Sequence, residues 1–196
     1  MKLNLGAGMQ QIAGWTTVDL DPDMHPDIVG DIEHLPFEDN SIDEIYASHC
    51  LEHVPYDSPA LSEWFRVLKR GAVCTVIVPD IIQVYYLWKH GARWGPYNII
   101  IDWDYINATA FGAHILKDVP ELNFGDLGHT HRQIFIFDML TQQMLKAGFD
   151  EVREVTYCTI RASSMGETMV QGRKFEGHAS CYTEQPYCIQ RNQTKE

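Results

Sequence analysis

Leu3-Asn4-Leu5 runs into Gly6-Ala7-Gly8. Positions without bulk there let a ligand approach the backbone, and the N–H groups that follow can hold an anion. Asp19 ends the next apolar run, where a carboxylate accepts hydrogen bonds from ribose hydroxyls. Asp31 ends the third, where it can meet an adenine amino group. Each alone has an ordinary structural reading, a tight turn or a solvated carboxylate. Three such features at three successive strand ends point to one ligand, because ligands of open α/β sheets bind outside the carboxyl ends of the strands. A dinucleotide-dependent oxidoreductase is disfavoured, since its Gly-x-Gly-x-x-Gly turn needs glycine where Gln11 stands.

Proton transfer, if the chemistry needs it, falls most readily to histidine. His49 follows the fourth strand. His131, in Gly128-His129-Thr130-His131-Arg132, returns to the core after a long excursion. Both are candidate catalytic bases, each with a hydrogen-bonded structural role as its ordinary alternative. Glu52-His53 reads as a brace for the adjoining turn. His129-x-His131 could be a ligand pair, but no third donor follows at recognisable spacing, so no metal centre is expected.

The elements that must position these residues alternate in type. Strands are expected at 2–5, 15–20, 27–30 and 43–48, and a nearly continuous apolar run at 72–78 fits a strand buried on both faces. Between them, Leu61, Trp64, Phe65 and Leu68 recur at helical spacing over 59–69, with Gly71 as the expected cap. Strands alternating with helices argue a parallel sheet. Only residues 21–26 separate the second and third strands, too few for the usual crossover helix, so a turn or truncated loop must replace it. A second helix is expected over 137–147, stopped by Gly148. Two closing strands are expected at 151–160 and 178–189, with a mobile polar loop over 163–177 between them. Residues 81–128 break the rhythm with aromatics among glycines and prolines. They read as a lid or acceptor-side insertion within a single domain over 1–196.

Composition narrows the class. The 196 residues are 45% apolar, enough for a core without staples. A formal charge of −12 opposes an electrostatic grip on nucleic acid. Five cysteines without a Cys-x-x-Cys spacing suggest reduced thiols. No apolar run has bilayer length and no leader pattern opens the chain, so a cytoplasmic protein off the membrane is expected.

At this point the motifs resemble a family. Leu3-Asn4-Leu5-Gly6-Ala7-Gly8, Val18-Asp19-Leu20-Asp21-Pro22 and Gly30-Asp31-Ile32-Glu33-His34-Leu35-Pro36-Phe37 resemble the cofactor motifs of class I S-adenosylmethionine-dependent methyltransferases of the methyltransferase-11 type. So do the run from Ser41 through Ser48-His49-Cys50-Leu51-Glu52-His53-Val54, the run Arg66-Val67-Leu68-Lys69-Arg70-Gly71, and Lys146-Ala147-Gly148-Phe149. The resemblance covers residues 3 to 80 best. It implies a Rossmann-like α/β fold: a mostly parallel seven-stranded sheet with an antiparallel last strand and truncated N-terminal helices. It implies that Leu5, Gly6, Ala7 and Gly8 face the methionine end of the cofactor, and that Asp19 binds the ribose diol with Leu20 on the adenine. Asp31 and Ile32 would frame the adenine, and Ser48 and His49 would lie near the sulfonium. The implied activity is methyl transfer from S-adenosylmethionine to a small-molecule acceptor, such as a sugar or metabolite hydroxyl or amine. The alternative is a protein or subunit of the same fold that binds the cofactor without turnover. The missing covering helices and the aromatic excursion leave an apolar surface for a possible homodimer.

Overall fold

The computed structural model describes residues 1–91, 93–94, 99–100, 106, 110, 130–156, 158, 160 and 167–175. The chain opens with β1 (Lys2–Leu5), β2 (Thr16–Asp19), β3 (Ile28–Val29) and β4 (Ile42–Ser48). Helix α1 (Ala60–Val67), β5 (Leu68–Pro79) and α2 (Ile81–Lys89) follow, then a short pair, β6 (Arg93–Trp94) and β7 (Ile99–Ile100). Helix α3 (Phe137–Lys146), β8 (Asp150–Glu154) and β9 (Glu167–Arg173) complete the described elements.

Seven strands form one sheet in the order β3-β2-β1-β4-β5-β9-β8. The pairs from β3 through β5 are parallel, and β9 runs antiparallel to both β5 and β8. This is the expected mostly parallel sheet with its last strand reversed. Parallel strands are covered on both faces, so they read as apolar runs rather than alternations. Leu3, Leu5, Val18, Ile45, Ala47, Cys74, Val76 and Val78 join Trp64, Val67, Leu140, Met144 and Phe149 in the main core. Among the described residues no helix is long and apolar enough to cross a membrane.

The short link between β2 and β3 is a single 3-10 turn, Pro22–Met24, in place of a crossover helix. Its ends are tied by side chains instead. Asp21 accepts from the Asp23 N–H at 2.9 Å. Asp27 Oδ2 accepts from the N–H and Oγ1–H of Thr17 at 2.8 and 2.9 Å, and these bonds hold the Asp27 carboxyl below the usual carboxylate range.

Two expectations need correction. Gly71 does not cap α1. The chain turns directly from Val67 into extended Leu68, and the Lys174 ammonium serves the helix end, donating to the carbonyls of Phe65 at 2.7 Å and Arg66 at 3.1 Å. Gly71 lies inside β5 with φ +77°, where the register against β4 shifts between Ile42 and Glu44. The strand expected at 178–189 lies outside the described residues, and Glu167–Arg173, within the segment read as a mobile loop, forms strand β9. Its glycine marks packing rather than a turn: a Cβ at Gly172 would stand 3.0 Å from Met144 Cε and from Phe149 Cβ. Of the expected lid over 81–128, α2, the β6–β7 pair and single residues are described. The rest lies outside the described residues.

Candidate active site

The glycine turn after β1 is built for close approach. Gly6 has φ +59°, and a Cβ there would stand 2.3 Å from Cys50 Cβ. Gly8 has φ +51° and open space where its Cβ would be. Buried Asn4 holds the far side of the turn, donating from Nδ2 to the Gln10 carbonyl at 2.9 Å. Asp19 closes it. Its Oδ2 accepts the Gly8 N–H at 2.7 Å and its Oδ1 accepts the Asp21 N–H at 3.0 Å. A carboxylate has about four acceptor sites, so both oxygens keep capacity for a diol after bracing the turn. Leu5 and Ala7 are buried beneath, while Leu20 is 72% exposed, an apolar side chain left open beside the carboxylate.

The third strand end adds a second frame. The Gly30 N–H donates to the Asp19 carbonyl at 2.9 Å, which joins the two ends. Asp31 Oδ1 accepts the Glu33 N–H at 2.8 Å, and the carboxylate stays partly exposed. Ile32 is buried, its carbonyl receiving the Trp64 indole N–H at 2.9 Å. Thus Leu5, Gly6, Ala7, Gly8, Asp19, Leu20, Asp31 and Ile32 all lie at the carboxyl ends of three adjacent parallel strands.

Ser48 ends β4, and His49 follows with φ +56° and its N–H bonded to the Ile77 carbonyl at 2.9 Å. Its ring meets two carboxylates: Nδ1 is 3.4 Å from Glu52 Oε1 and Nε2 is 2.6 Å from Glu167 Oε1. Removal from water would lower the pKa of the ring. The Glu167 hydrogen bond and the negative charges of Glu52 and Glu167 outweigh that and push it up to about 10. In this arrangement the two carboxylates favour the protonated ring, with one ring nitrogen turned to each of them. Glu52 is buried and held below the usual carboxylate range: burial would raise it, and the His49 cation more than offsets this.

His131 reaches the same place from the far end of the chain. The Arg132 and Gln133 N–H groups both donate to the Glu52 carbonyl, and Gln133 Nε2 donates to the carbonyls of Leu51 and Val54. This docks the returning segment on the turn after β4. The His131 ring lies edge-on to His53 with centroids 5.0 Å apart. Glu52 thus stands between the two histidines singled out in the sequence. His129 lies outside the described residues. Glu52 and Glu167 were missed as site residues, one read as a brace and the other placed in a loop. The β-forming Thr168 and Val170 around Met169, all three buried in the structure, were the available sequence signal for a strand there.

Known proteins resemble this chain in sequence and in fold. A family model described as a methyltransferase domain matches residues 4–76. The ubiquinone/menaquinone biosynthesis C-methyltransferase UbiE of Neisseria gonorrhoeae is 30% identical over 127 residues, 65% of this chain and 47% of that protein. The sterol 24-C-methyltransferase erg6 of Schizosaccharomyces pombe is 46% identical over 46 residues, 24% of this chain and 12% of that protein. The chain therefore spans about half the length, or less, of these curated relatives. Among solved structures, a SAM-dependent methyltransferase from Archaeoglobus fulgidus superposes with a TM-score of 0.58 at 14% identity, covering 88% of this chain and 85% of that one. Another, from Thermotoga maritima, described as a possible histamine N-methyltransferase, gives 0.52 at 17% identity, covering 89% and 81%.

The fold is the Rossmann-like fold of class I methyltransferases. Residues 4–76, which match a methyltransferase-domain family model, are the part of the chain whose motifs resemble the S-adenosylmethionine-dependent methyltransferases of the methyltransferase-11 type. The open cradle at Gly8, the spare capacity of Asp19 and the exposed Leu20 fit the cofactor of that family, S-adenosylmethionine.

Proposed function

We propose that this chain catalyses methyl transfer from S-adenosylmethionine to a small molecule, at a hydroxyl or amine of a sugar or related metabolite. The observation that carries the reading is the Asp19 carboxylate, which ties the Gly6-Ala7-Gly8 turn to the end of β2. Leu5, Gly6, Ala7 and Gly8 take the methionine end, Asp19 the ribose diol, Leu20 and Ile32 the adenine faces, and Asp31 the adenine edge. Ser48 and His49 flank the reacting end. Bound there, the sulfonium supplies a methyl group already activated for transfer. The work left to the protein is alignment and exclusion of water. His49, with both ring nitrogens turned to Glu52 and Glu167, holds the turn beside the reacting end in place rather than serving as the base. His131 is then the histidine to which a proton-accepting role falls when the acceptor needs one. Helix α2 exposes Ile82, Tyr85 and Tyr86, which we assign to the acceptor side.

The names of the relatives support a second reading, in which the acceptor is an electron-rich carbon of a quinone- or sterol-like ring system. One experiment addresses both. The full chain is titrated with S-adenosylmethionine and with NAD, then incubated with methyl-labelled cofactor and acceptors of each class. S-adenosylhomocysteine release is followed, and the methylated atom is located by mass spectrometry. Tighter binding of NAD than of S-adenosylmethionine would overturn the reading. Cofactor binding without turnover on any acceptor would favour a binding subunit of the same fold.

A further inference from the structure

Glu52, His53 and His131 each offer one donor atom, and the three atoms all lie within 4.8 Å of one another. Sequence spacing does not suggest this set, because Glu52 and His53 sit in the turn after β4 and His131 comes back 78 residues later. Glu52 is 1% exposed, and among the described residues neither of its carboxylate oxygens has a hydrogen-bond donor of good geometry. A buried carboxylate in that state is costly unless a cation faces it. His49, its ion-pair contact at 3.4 Å, is shared with Glu167, which it meets at 2.6 Å.

We infer that Glu52, His53 and His131 form a binding site for one divalent transition-metal ion of the zinc class. Two imidazoles and one carboxylate suit such an ion better than magnesium or calcium, which favour sets made of oxygen alone. His53 has its Nδ1 3.4 Å from the Thr130 carbonyl. A carbonyl only accepts, so a neutral ring places its proton on Nδ1 and its lone pair on Nε2. A backbone carbonyl behind the ring is the usual second support of a ligating histidine. A tetrahedral ion about 2.0–2.1 Å from each ligand needs donors about 3.3 Å apart. The three side chains therefore close by roughly 1.5 Å at most, within reach of small rotations of two half-buried rings. The backbone is already clamped there, since the Arg132 N–H donates to the Glu52 carbonyl at 2.8 Å. Three protein ligands leave a fourth position for water or an acceptor oxygen.

The site stands whether or not the chain transfers methyl groups, so its test uses metal binding without cofactor. The untagged full chain, stripped with chelator, is titrated with cobalt(II) and followed by visible absorption, then back-titrated with zinc. Wild type is expected to bind one equivalent that zinc displaces. Loss of outer supports of ligands costs about 10–100-fold in metal affinity. Removing a ligand in His131→Gln or Glu52→Gln should then cost at least about 100-fold. Calorimetry with S-adenosylmethionine and far-UV circular dichroism report separately on the cofactor site and on folding. His131 lies on a half-buried loop, so its variant keeps the test valid if Glu52→Gln fails to fold. Absence of a cobalt band in wild type, or a band that survives in the folded His131→Gln variant, would overturn the inference.

Discussion

Nε2 of His49 lies 2.6 Å from Oε1 of Glu167, joining the end of β4 to the start of β9 across 118 residues of sequence. Strand β5 runs between these two in the sheet, so the pair spans it at its carboxyl end. With Glu52 on the other ring nitrogen, His49 locks the turn after β4 against the last strand.

The first prediction follows from that lock. The folded pKa of His49, about 10, lies above its ordinary 6.5. Its contribution to stability is therefore complete below about pH 6.5 and is lost as pH rises through 10. Glu52 acts in the opposite sense, being lowered from 4.5: its contribution is present above that value and lost on acidification through its folded pKa. Urea unfolding of chelator-treated protein is expected to show falling stability from neutrality toward pH 10. Histidine NMR should show His49 still protonated at pH 8. A His49 ring titrating near 6.5 would contradict the geometry.

Gly6 and Gly8 should respond differently to alanine. Both have positive φ, a backbone cost of about 1–2 kcal/mol for an L side chain. Only Gly6 also drives a Cβ to 2.3 Å from Cys50 Cβ. Gly6→Ala is expected to cost about 1–3 kcal/mol more than Gly8→Ala, the usual range for overpacking. Parallel urea melts measure the difference.

Asp19→Ala removes the acceptor for Gly8 and Asp21 along with the proposed ribose contact. S-adenosylmethionine binding should weaken by about 1–3 kcal/mol, the cost of losing charged hydrogen bonds. Asp19→Asn keeps one acceptor oxygen and should fall between. Calorimetry showing unchanged affinity for both variants would remove Asp19 from the site.

Gly172→Val tests the placement of β9. With 3.0 Å between its ideal Cβ and both Met144 Cε and Phe149 Cβ, added bulk must displace α3. A loss of about 1–3 kcal/mol is expected by thermal or urea melting. Gly71→Ala offers a contrast, since nothing stands within 4 Å of its Cβ and only the φ of +77° resists it.

The strand-end cluster proposed to hold the cofactor was legible as local structure because its signals are local. Gly6 and Gly8 mark positive φ within one turn, and Asp19 and Asp31 sit at the ends of short apolar runs. The brevity of the 21–26 segment alone excluded a crossover helix. Such signals depend on a few neighbouring residues and survive reading in one dimension. The acceptor half depends on pairing at long range. Whether Glu167 opens a strand, whether Lys174 rather than Gly71 serves the end of α1, and whether His131 reaches Glu52 are decided by which segments find each other across the sheet. Composition did not reveal β9, because Gly172 looks like a turn residue until Phe149 and Met144 fill the space above it. The protonation of His49 has the same origin. A histidine's pKa is set by what surrounds it: Glu52 lies only three residues along in the same turn, but Glu167 comes from β9 and is brought within hydrogen-bonding distance only by the closed sheet.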